Sequence, residues 1–261
     1  MVPEQRRQQI VTALGTRGMV RADDLATQLG VSLETIRRDL NELERRGELT
    51  RVYGGATRAP RRSETWERRS VSQIPAKRAI ARYAVQLLRP QQTVVFDMGT
   101  TVFEAARALP VDWVGQVVTT SGHVARELAD HRGVKVQTVG GQVREHDLST
   151  SGREAERVFA EGFSDVAFVC AGGVHPQAGL TGCHEGEAAV RRQMIGRSFE
   201  RYVLADASKL GRVSTYRVSD LAAITAVITD SEVTKDVFDA LVARGLRVHV
   251  APPLPVDQPV G

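Results

Sequence analysis

The spacing of apolar residues divides the chain into two differently patterned parts. As far as about residue 47 the period is helical. A first segment from Pro3 to Thr16 carries Ile10, Val11 and Leu14; a second, "RADDLATQLG", places Leu25 and Leu29 four apart and stops at Gly30, a usual helix-ending residue. Only Val31 and Ser32 separate it from a third helix. Helix, tight turn, helix is the outline of a helix-turn-helix. In the third helix, at about 100° per residue, Leu33, Ile36, Leu40 and Leu43 fall within one arc, the expected buried stripe. After Gly47, "ELTRVYGGA" alternates like a strand and breaks at Gly54–Gly55, so a hairpin there would form a wing.

From Thr93 the pattern changes to short β-branched runs, each followed by small or polar residues and then a helical pattern. The runs are "TVVFD" (93–97), "GQVVTT" (115–120), "VKVQTVGG" (134–141), "DVAFVCAGG" (165–173), "RYVLAD" (201–206), "AAITAVITD" (222–230) and "LRVHVA" (246–251). Strands alternating with helices predict an α/β domain with a mostly parallel sheet. Between the two parts, Thr57 to Pro75 has prolines at both ends, paired arginines and poor periodicity, and reads as a connection. "AKRAIARYAVQLL" then reads as an amphipathic helix. The expected division is a winged helix-turn-helix domain at 1–57, a linker at 58–75, an α/β domain at 76–252 and a flexible, proline-rich tail at 253–261.

Composition narrows the class. With 261 residues and 42% hydrophobic, the chain has material for one ample core and a small satellite domain. No apolar run approaches a bilayer span, no leader pattern opens the chain, and two cysteines without a CxxC pair suit a reducing compartment. The expectation is a cytoplasmic protein with no membrane partner. Charge is unevenly placed. Residues 1–62 hold 12 Arg against 8 Asp and Glu, whereas residues 63–261 balance at 23 of each sign. A basic segment on a neutral body suggests a polyanion-binding module attached to something with another task, although a solvated arginine-rich surface has the same composition.

The third helix supplies chemistry for such a module. Opposite its apolar arc lie Glu34, Arg37, Arg38, Asn41 and Arg45. Arginine can grip guanine O6 and N7 or a phosphate, and asparagine can grip adenine with two bonds. Ser32 can cap the helix near Thr35, and both hydroxyls can take phosphates. In the wing, Arg51 and Tyr53 beside the Gly54 turn are available to the DNA backbone or minor groove. The same features also suit a structural helical hairpin with solvated arginines.

In a parallel sheet the ligand site lies beyond the carboxyl ends of the strands, which singles out the polar residues there. "DMGTT" (Asp97 to Thr101) opens a helix: Gly99 would let a ligand approach the backbone, and Thr100 and Thr101 with the helix amides would form an anion site. "TTSGH" repeats the arrangement with Thr120 and Ser121, and Gly140–Gly141 ends a third strand with Arg144 close by. Glu187 stands near the start of a helix, where the dipole favours a carboxylate. Asp206 and Lys209 follow another strand as a diol acceptor and a phosphate partner. Singly, each could be an ordinary capped turn or surface ion pair; together they favour a small phosphorylated or polyhydroxylated ligand. Neither glycine loop is a Walker or Rossmann fingerprint, so no nucleotide cofactor is expected. His175, Cys183 and His184 match no closed zinc pattern, so no metal is expected.

The stretch "ETIRRDLNELERRGELTRVYGGA" resembles the DNA-binding domain of the DeoR family of bacterial transcriptional regulators, at Thr35 to Leu40, Leu49, Arg51 and Gly54 to Ala56. The strand ends resemble that family's C-terminal domain at Asp97–Thr101, Gly140–Gly141, Asp165–Phe168, Glu187–Met194 and Asp206–Lys209. The resemblance implies a domain similar to ribose-5-phosphate isomerase that binds phosphorylated sugars. It implies a regulator, most often a repressor, acting on double-stranded operator DNA as a homo-oligomer, a dimer or tetramer. Two departures bear on the effector: Thr120 stands where the family often has asparagine, and Ala207 where serine or histidine is usual. Two other readings remain: an isomerase-like enzyme with Glu187 or Asp97 as base and Lys209 as its cation, and a structural DNA binder whose α/β domain only oligomerises.

Overall fold

The apolar spacing of the first part produces three helices, α1 (Pro3–Arg17), α2 (Ala22–Leu29) and α3 (Leu33–Arg45). The computed structural model describes residues 2–17, 19–45, 49–52, 54–58, 65–145 and 147–254, and separates into two units, Met1–Ser63 and Glu64–Gly261. In the first unit the strands β1 (Met19–Arg21), β2 (Leu49–Val52) and β3 (Gly55–Arg58) form an antiparallel sheet in the order β1-β3-β2. The β2–β3 hairpin is the expected wing, turning at Gly54 with φ +78°. Strand β1 was not legible because three residues carry too little alternation. The core joins Ile10 and Leu14 of α1, Leu25 of α2, and Ile36, Leu40 and Leu43 of α3 to Val20, Leu49 and Ala56 of the sheet.

One member of the expected stripe lies outside it. Leu33 is 39% exposed, and the buried set is Ile36, Asp39, Leu40 and Leu43. Those four follow the i, i+3, i+4, i+7 spacing; Leu33, first residue of the helix, lies beyond the part of that face the core covers.

The second unit opens with α4 (Trp66–Val71) and α5 (Ile74–Val85). Residues 66–75, expected within the linker, thus hold α4 and the start of α5. Thr65 caps α4, and Trp66 is buried against Phe103, 5.5 Å between ring centroids, and His123, 4.0 Å away and parallel. One buried aromatic anchors a helix too short to show a period.

The remaining elements are β4 (Thr93–Phe96), α6 (Thr100–Arg107), β5 (Gly115–Thr119), α7 (Gly122–Leu128), β6 (Val134–Thr138), the hairpin β7 (Gln142–Val143) with β8 (Thr150–Ser151), and α8 (Arg153–Glu161). After them come β9 (Ser164–Cys170), β10 (Gly173–His175), β11 (Gly179–Gly182), α9 (Glu185–Gly196), β12 (Ser198–Leu204), β13 (Tyr216–Ser219), β14 (Ala226–Thr229), α10 (Lys235–Val242) and β15 (Val248–Val250). Seven of the strands form one sheet in the order β15-β14-β12-β9-β4-β5-β6, parallel throughout. These are the seven runs recognised from composition. A small antiparallel sheet, β10-β11-β13, lies outside it.

Alternation along the strands fills both faces. Val94, Phe96, Val166, Phe168, Leu204 and Ile228 join α5, α6 and α7 in one core, whereas Val95, Ala167, Val169, Val203 and Val227 join α8, α9 and α10 in another. Chain order reverses at β4, which is flanked by β5 on one side and β9 on the other. The C-terminal ends of β4 and β9 therefore border a topological switch point. At the chain's end, Leu254 packs on the first of these cores, so the expected flexible tail is anchored at its start; 255–261 lie outside the described residues. Among the described residues no helix is long and apolar enough to cross a membrane.

Candidate functional site

The exposed side of α3 carries the residues expected to face DNA. Ser32 caps the helix, its hydroxyl accepting from the Thr35 amide at 3.1 Å and lying 2.9 Å from the Thr35 hydroxyl. Arg37 is exposed, and Arg38 pairs with Glu34 one turn back at 3.4 Å. Arg51, on β2, donates from Nη1 to Asn41 Oδ1 at 2.5 Å, and its backbone amide donates to Glu44 Oε1 at 2.8 Å. In the free protein Arg51 is thus occupied by α3 rather than standing free. Gly54 is exposed at the turn, and Tyr53 lies outside the described residues.

Sequence reading missed Asp39. It is buried in α3's inward face and accepts from Arg6 Nε at 2.5 Å and Arg7 Nε at 3.2 Å, both on α1. The signal was present: a carboxylate inside an apolar stripe needs a cation, and Arg6 is spaced four and eight residues from the buried Ile10 and Leu14.

In the larger unit, the switch point holds a buried ionic network. Asp97, just past β4, has no exposed surface. It accepts from the Cys170 amide and thiol, each at 3.0 Å, and from Arg191 Nε at 2.6 Å. Arg191 Nη2 continues to Cys170 Sγ at 2.9 Å and to Glu187 Oε2 at 3.2 Å. Burial raises the Asp97 carboxyl, but the Arg191 charge together with the hydrogen bonds from Arg191 and Cys170 outweighs it and holds Asp97 below the usual carboxylate range. Burial would likewise lower Arg191, yet the Asp97 carboxylate raises it. Burial pushes the Cys170 thiol up to about 12, which keeps it a neutral donor.

Two residues expected to meet a ligand have protein neighbours here. Asp97 is sealed from solvent and holds Arg191. Gly99 makes room for protein: a Cβ there would lie 2.3 Å from the Cys170 Cβ. Arg191 itself was overlooked; its only signal was a basic residue one helical turn after Glu187.

The network extends outward through Glu187. Its Oε1 accepts from Arg144 Nη1, which also lies 3.1 Å from Asp147 Oδ2. Asp147 is buried, pairs with Arg69 of α4 at 3.5 Å, and accepts from the Ser149 hydroxyl at 2.6 Å. Burial lowers the pKa of Arg144, with Asp147 opposing and Arg69 reinforcing that shift. His184, beside them, is also lowered, by burial first and Arg144 next.

The β7–β8 hairpin folds against the loop after β5. The Thr150 amide donates to the Thr120 carbonyl at 2.9 Å, and Ser121 caps α7 at the Val124 amide. The Thr120 hydroxyl is buried and has no hydrogen-bond partner among the described residues. Gly141, at φ +144°, admits the Ser151 carbonyl where a Cβ would lie 2.5 Å from its oxygen, while Gly140 faces open space. A hollow of about 200 Å³ is lined here by Gln142, Arg144, Ser151, His184 and Glu187. Thr100 and Thr101 begin α6, whose N-terminus has no side-chain cap.

Asp206 belongs to a separate hollow, with Lys209 three residues on in the following 3-10 turn. A cleft of about 590 Å³ is lined by Gln73, Asp206, Ser208, Asp230, Glu232 and Thr234. The carboxylate of Asp206 accepts from the Ser208 amide at 3.1 Å, and Asp230 holds the Ala207 amide at 2.7 Å. Lys77 on α5 is a further residue the sequence did not single out. Its buried ammonium donates to the carbonyls of Arg69 and, at 2.7 Å, Ser72, and burial lowers its pKa to about 8 despite Asp206.

Comparison with known proteins agrees with this division. Residues 6–62 match the model of the DeoR-like helix-turn-helix domain, and residues 72–231 that of the DeoR C terminal sensor domain. The HTH-type transcriptional regulator GlpR of Haloferax volcanii is 34% identical over 95% of this chain and 98% of its own length. The HTH-type transcriptional repressor CsqR of Escherichia coli K12 is 31% identical over 86% of this chain and 87% of its own. GlcR, an HTH-type transcriptional repressor of Bacillus subtilis 168, is 29% identical over 96% and 97%. Among solved structures, ribose 5-phosphate isomerase A of Methanocaldococcus jannaschii is 19% identical with a TM-score of 0.36, covering 51% of this chain and 52% of that one. With a winged helix-turn-helix at its N-terminus and a sensor domain built on a parallel sheet, the chain belongs to the DeoR family of DNA-binding transcriptional regulators.

Proposed function

We propose that this regulator represses a carbohydrate-metabolism operon and that a phosphorylated sugar, bound at the C-terminal edge of the larger sheet, changes its affinity for operator DNA. Two relatives bear the name of repressor, which supports the direction of control. The observation that carries the effector reading is Arg144, a half-buried guanidinium beside an open hollow at the sheet's ligand-binding edge, held by Glu187 and Asp147. Its charge is partly desolvated, and a phosphate is a bidentate partner for such a fork. Thr100, Thr101, Ser121 and Gly140 supply further donors, and Asp206 and Lys209 extend the site toward the larger cleft. Asp97 and Gly99 act from behind, the first by fixing Arg191.

We infer that the ligand acts on the DNA-binding unit by way of α4. A phosphate on Arg144 competes with Glu187 and Asp147 for one guanidinium. Asp147 also holds Arg69 of α4, the first described helix after the DNA-binding unit in sequence. Binding therefore favours one arrangement of that helix over another, and only such differential affinity shifts an equilibrium. The protein acts in the cytoplasm as a homo-oligomer, dimer or tetramer, because one recognition helix reads too few base pairs. A dimer presents two α3 helices about 34 Å apart to a near-palindromic site.

A thermal-shift screen of the full chain against phosphorylated and plain sugars tests this. A ligand at a hundred times its Kd adds about 2.7 kcal/mol, a rise of a few degrees. The expected result is a rise with one phosphorylated sugar, none with its unphosphorylated form, and loss of the rise in Arg144→Ala while DNA binding persists. A shift that Arg144→Ala leaves unchanged would move the site elsewhere.

A further inference from the structure

We propose that Phe163, Phe199 and Arg197 form the face through which two copies of this chain associate. The inference rests on the reading of this regulator as a homo-oligomer and assigns a surface to it.

Phe163 stands immediately before β9, and Phe199 is the second residue of β12, the strand beside it. Ser198 pairs with Ser164, so both rings emerge at the N-terminal edge of the larger sheet. Their centroids lie 6.3 Å apart with the planes 25° from parallel, and the residues are 65% and 70% exposed. Every other aromatic among the described residues is buried or half-buried. At about 200 Å² for a phenylalanine, the pair leaves roughly 270 Å² open, about a third of the ~800 Å² that each partner buries in a standard interface. Arg197 adds to the strip. Its guanidinium lies 5.2 Å from the Phe163 centroid, and it forms no ion pair among the described residues. Aromatic rings and arginine are the groups that carry most of the energy of an interface.

The rim indicates the partner. Glu161, the last residue of α8, is exposed and is held only by Arg157 on the same helix, at 3.7 Å. Glu200 follows Phe199 on β12. A polyanion brought to the rings would meet these carboxylates. A surface with an apolar centre, a cation without a counter-charge and a loosely held carboxylate is complementary to itself. About a two-fold axis through the rings, Arg197 of each copy faces Glu161 of the partner subunit, and the contact is made twice. The hollow at Arg144 lies at the opposite edge of the same sheet, so association here leaves it open.

Sedimentation equilibrium of the full-length chain tests the face. Wild type is expected as a dimer or tetramer, and Phe199→Glu, which sets a charge among the rings, to halve that mass and weaken association by about 30-fold or more. Val111→Glu, at an exposed valine outside the strip, should leave the mass unchanged. Arg197→Glu and Glu161→Arg should each weaken association, and mixing the two variants, or combining them in one chain, should restore it. This charge exchange decides the matter even where Phe199→Glu misfolds. An unchanged mass in Phe199→Glu overturns the face while leaving the homo-oligomer intact, and single charge variants that mixing does not restore overturn its two-fold pairing. Monomeric wild type overturns the homo-oligomer itself, and this inference with it.

Discussion

Arg6 and Asp39, thirty-three residues apart in sequence, meet at 2.5 Å inside the DNA-binding unit and fix α1 to the buried face of the recognition helix. Removing one partner of a buried pair costs about 3–5 kcal/mol. Asp39→Ala should therefore unfold the first unit and abolish DNA binding. Both tryptophans, Trp66 and Trp113, lie in the second unit, so hydrogen exchange of the α3 amides is the measurement. Native protection of α3 in Asp39→Ala would show that the pair is dispensable.

Gly99 and Cys170 make a second close approach. Gly99→Ala should destabilise the sensor unit by about 1–3 kcal/mol, the usual cost of overpacking, because the new Cβ would stand 2.3 Å from that of Cys170. Combined with Cys170→Gly, the loss should be smaller than the sum of the two single changes. Additive losses in urea denaturation would place the strain elsewhere.

Trp66 makes α4 part of the sensor unit. Trp66→Ala removes an aromatic buried on Phe103 and His123 and should cost that unit about 3–5 kcal/mol. A melting temperature equal to wild type would return residues 66–71 to the status of a linker.

Acid should weaken the sensor unit through two of its histidines. Burial lowers the pKa of His123 and of His184, so both stay neutral in the folded protein at a pH where the unfolded chain, titrating near 6.5, is already taking up protons. The unfolded state then binds more protons, and stability falls as pH drops below about 6.5. Melting temperatures at pH 7.5 and 5.5 should differ, with a smaller drop in His184→Gln. Equal drops in wild type and variant would remove His184 from the account.

The outline of this protein was legible because its patterns are local. Helix periods, the Ser32 cap, the glycine turn of the wing and seven β-branched runs each announce themselves within a dozen residues. Other short elements did not: β1, the β7–β8 hairpin and α4 depend on pairing or on one anchoring tryptophan. The candidate site divides in the same way. Thr100, Ser121, Arg144 and Glu187 were marked by position at strand and helix ends. Which of them face solvent, and which serve another side chain, was not.

What the sequence determined alone was the presence of a winged helix on a parallel α/β domain and the side of α3 that carries its arginines. Periodicity dictates which face must be buried, whatever covers it. Only the tertiary structure decided that Asp39 answers Arg6, that Asp97 is spent on Arg191 and Cys170, that Arg144 bridges Glu187 to Asp147, and that Arg51 holds Asn41. Each of these joins groups far apart in the chain. Burial makes pairing obligatory for a charge or a polar atom, but the partner is chosen by topology, which no local pattern encodes.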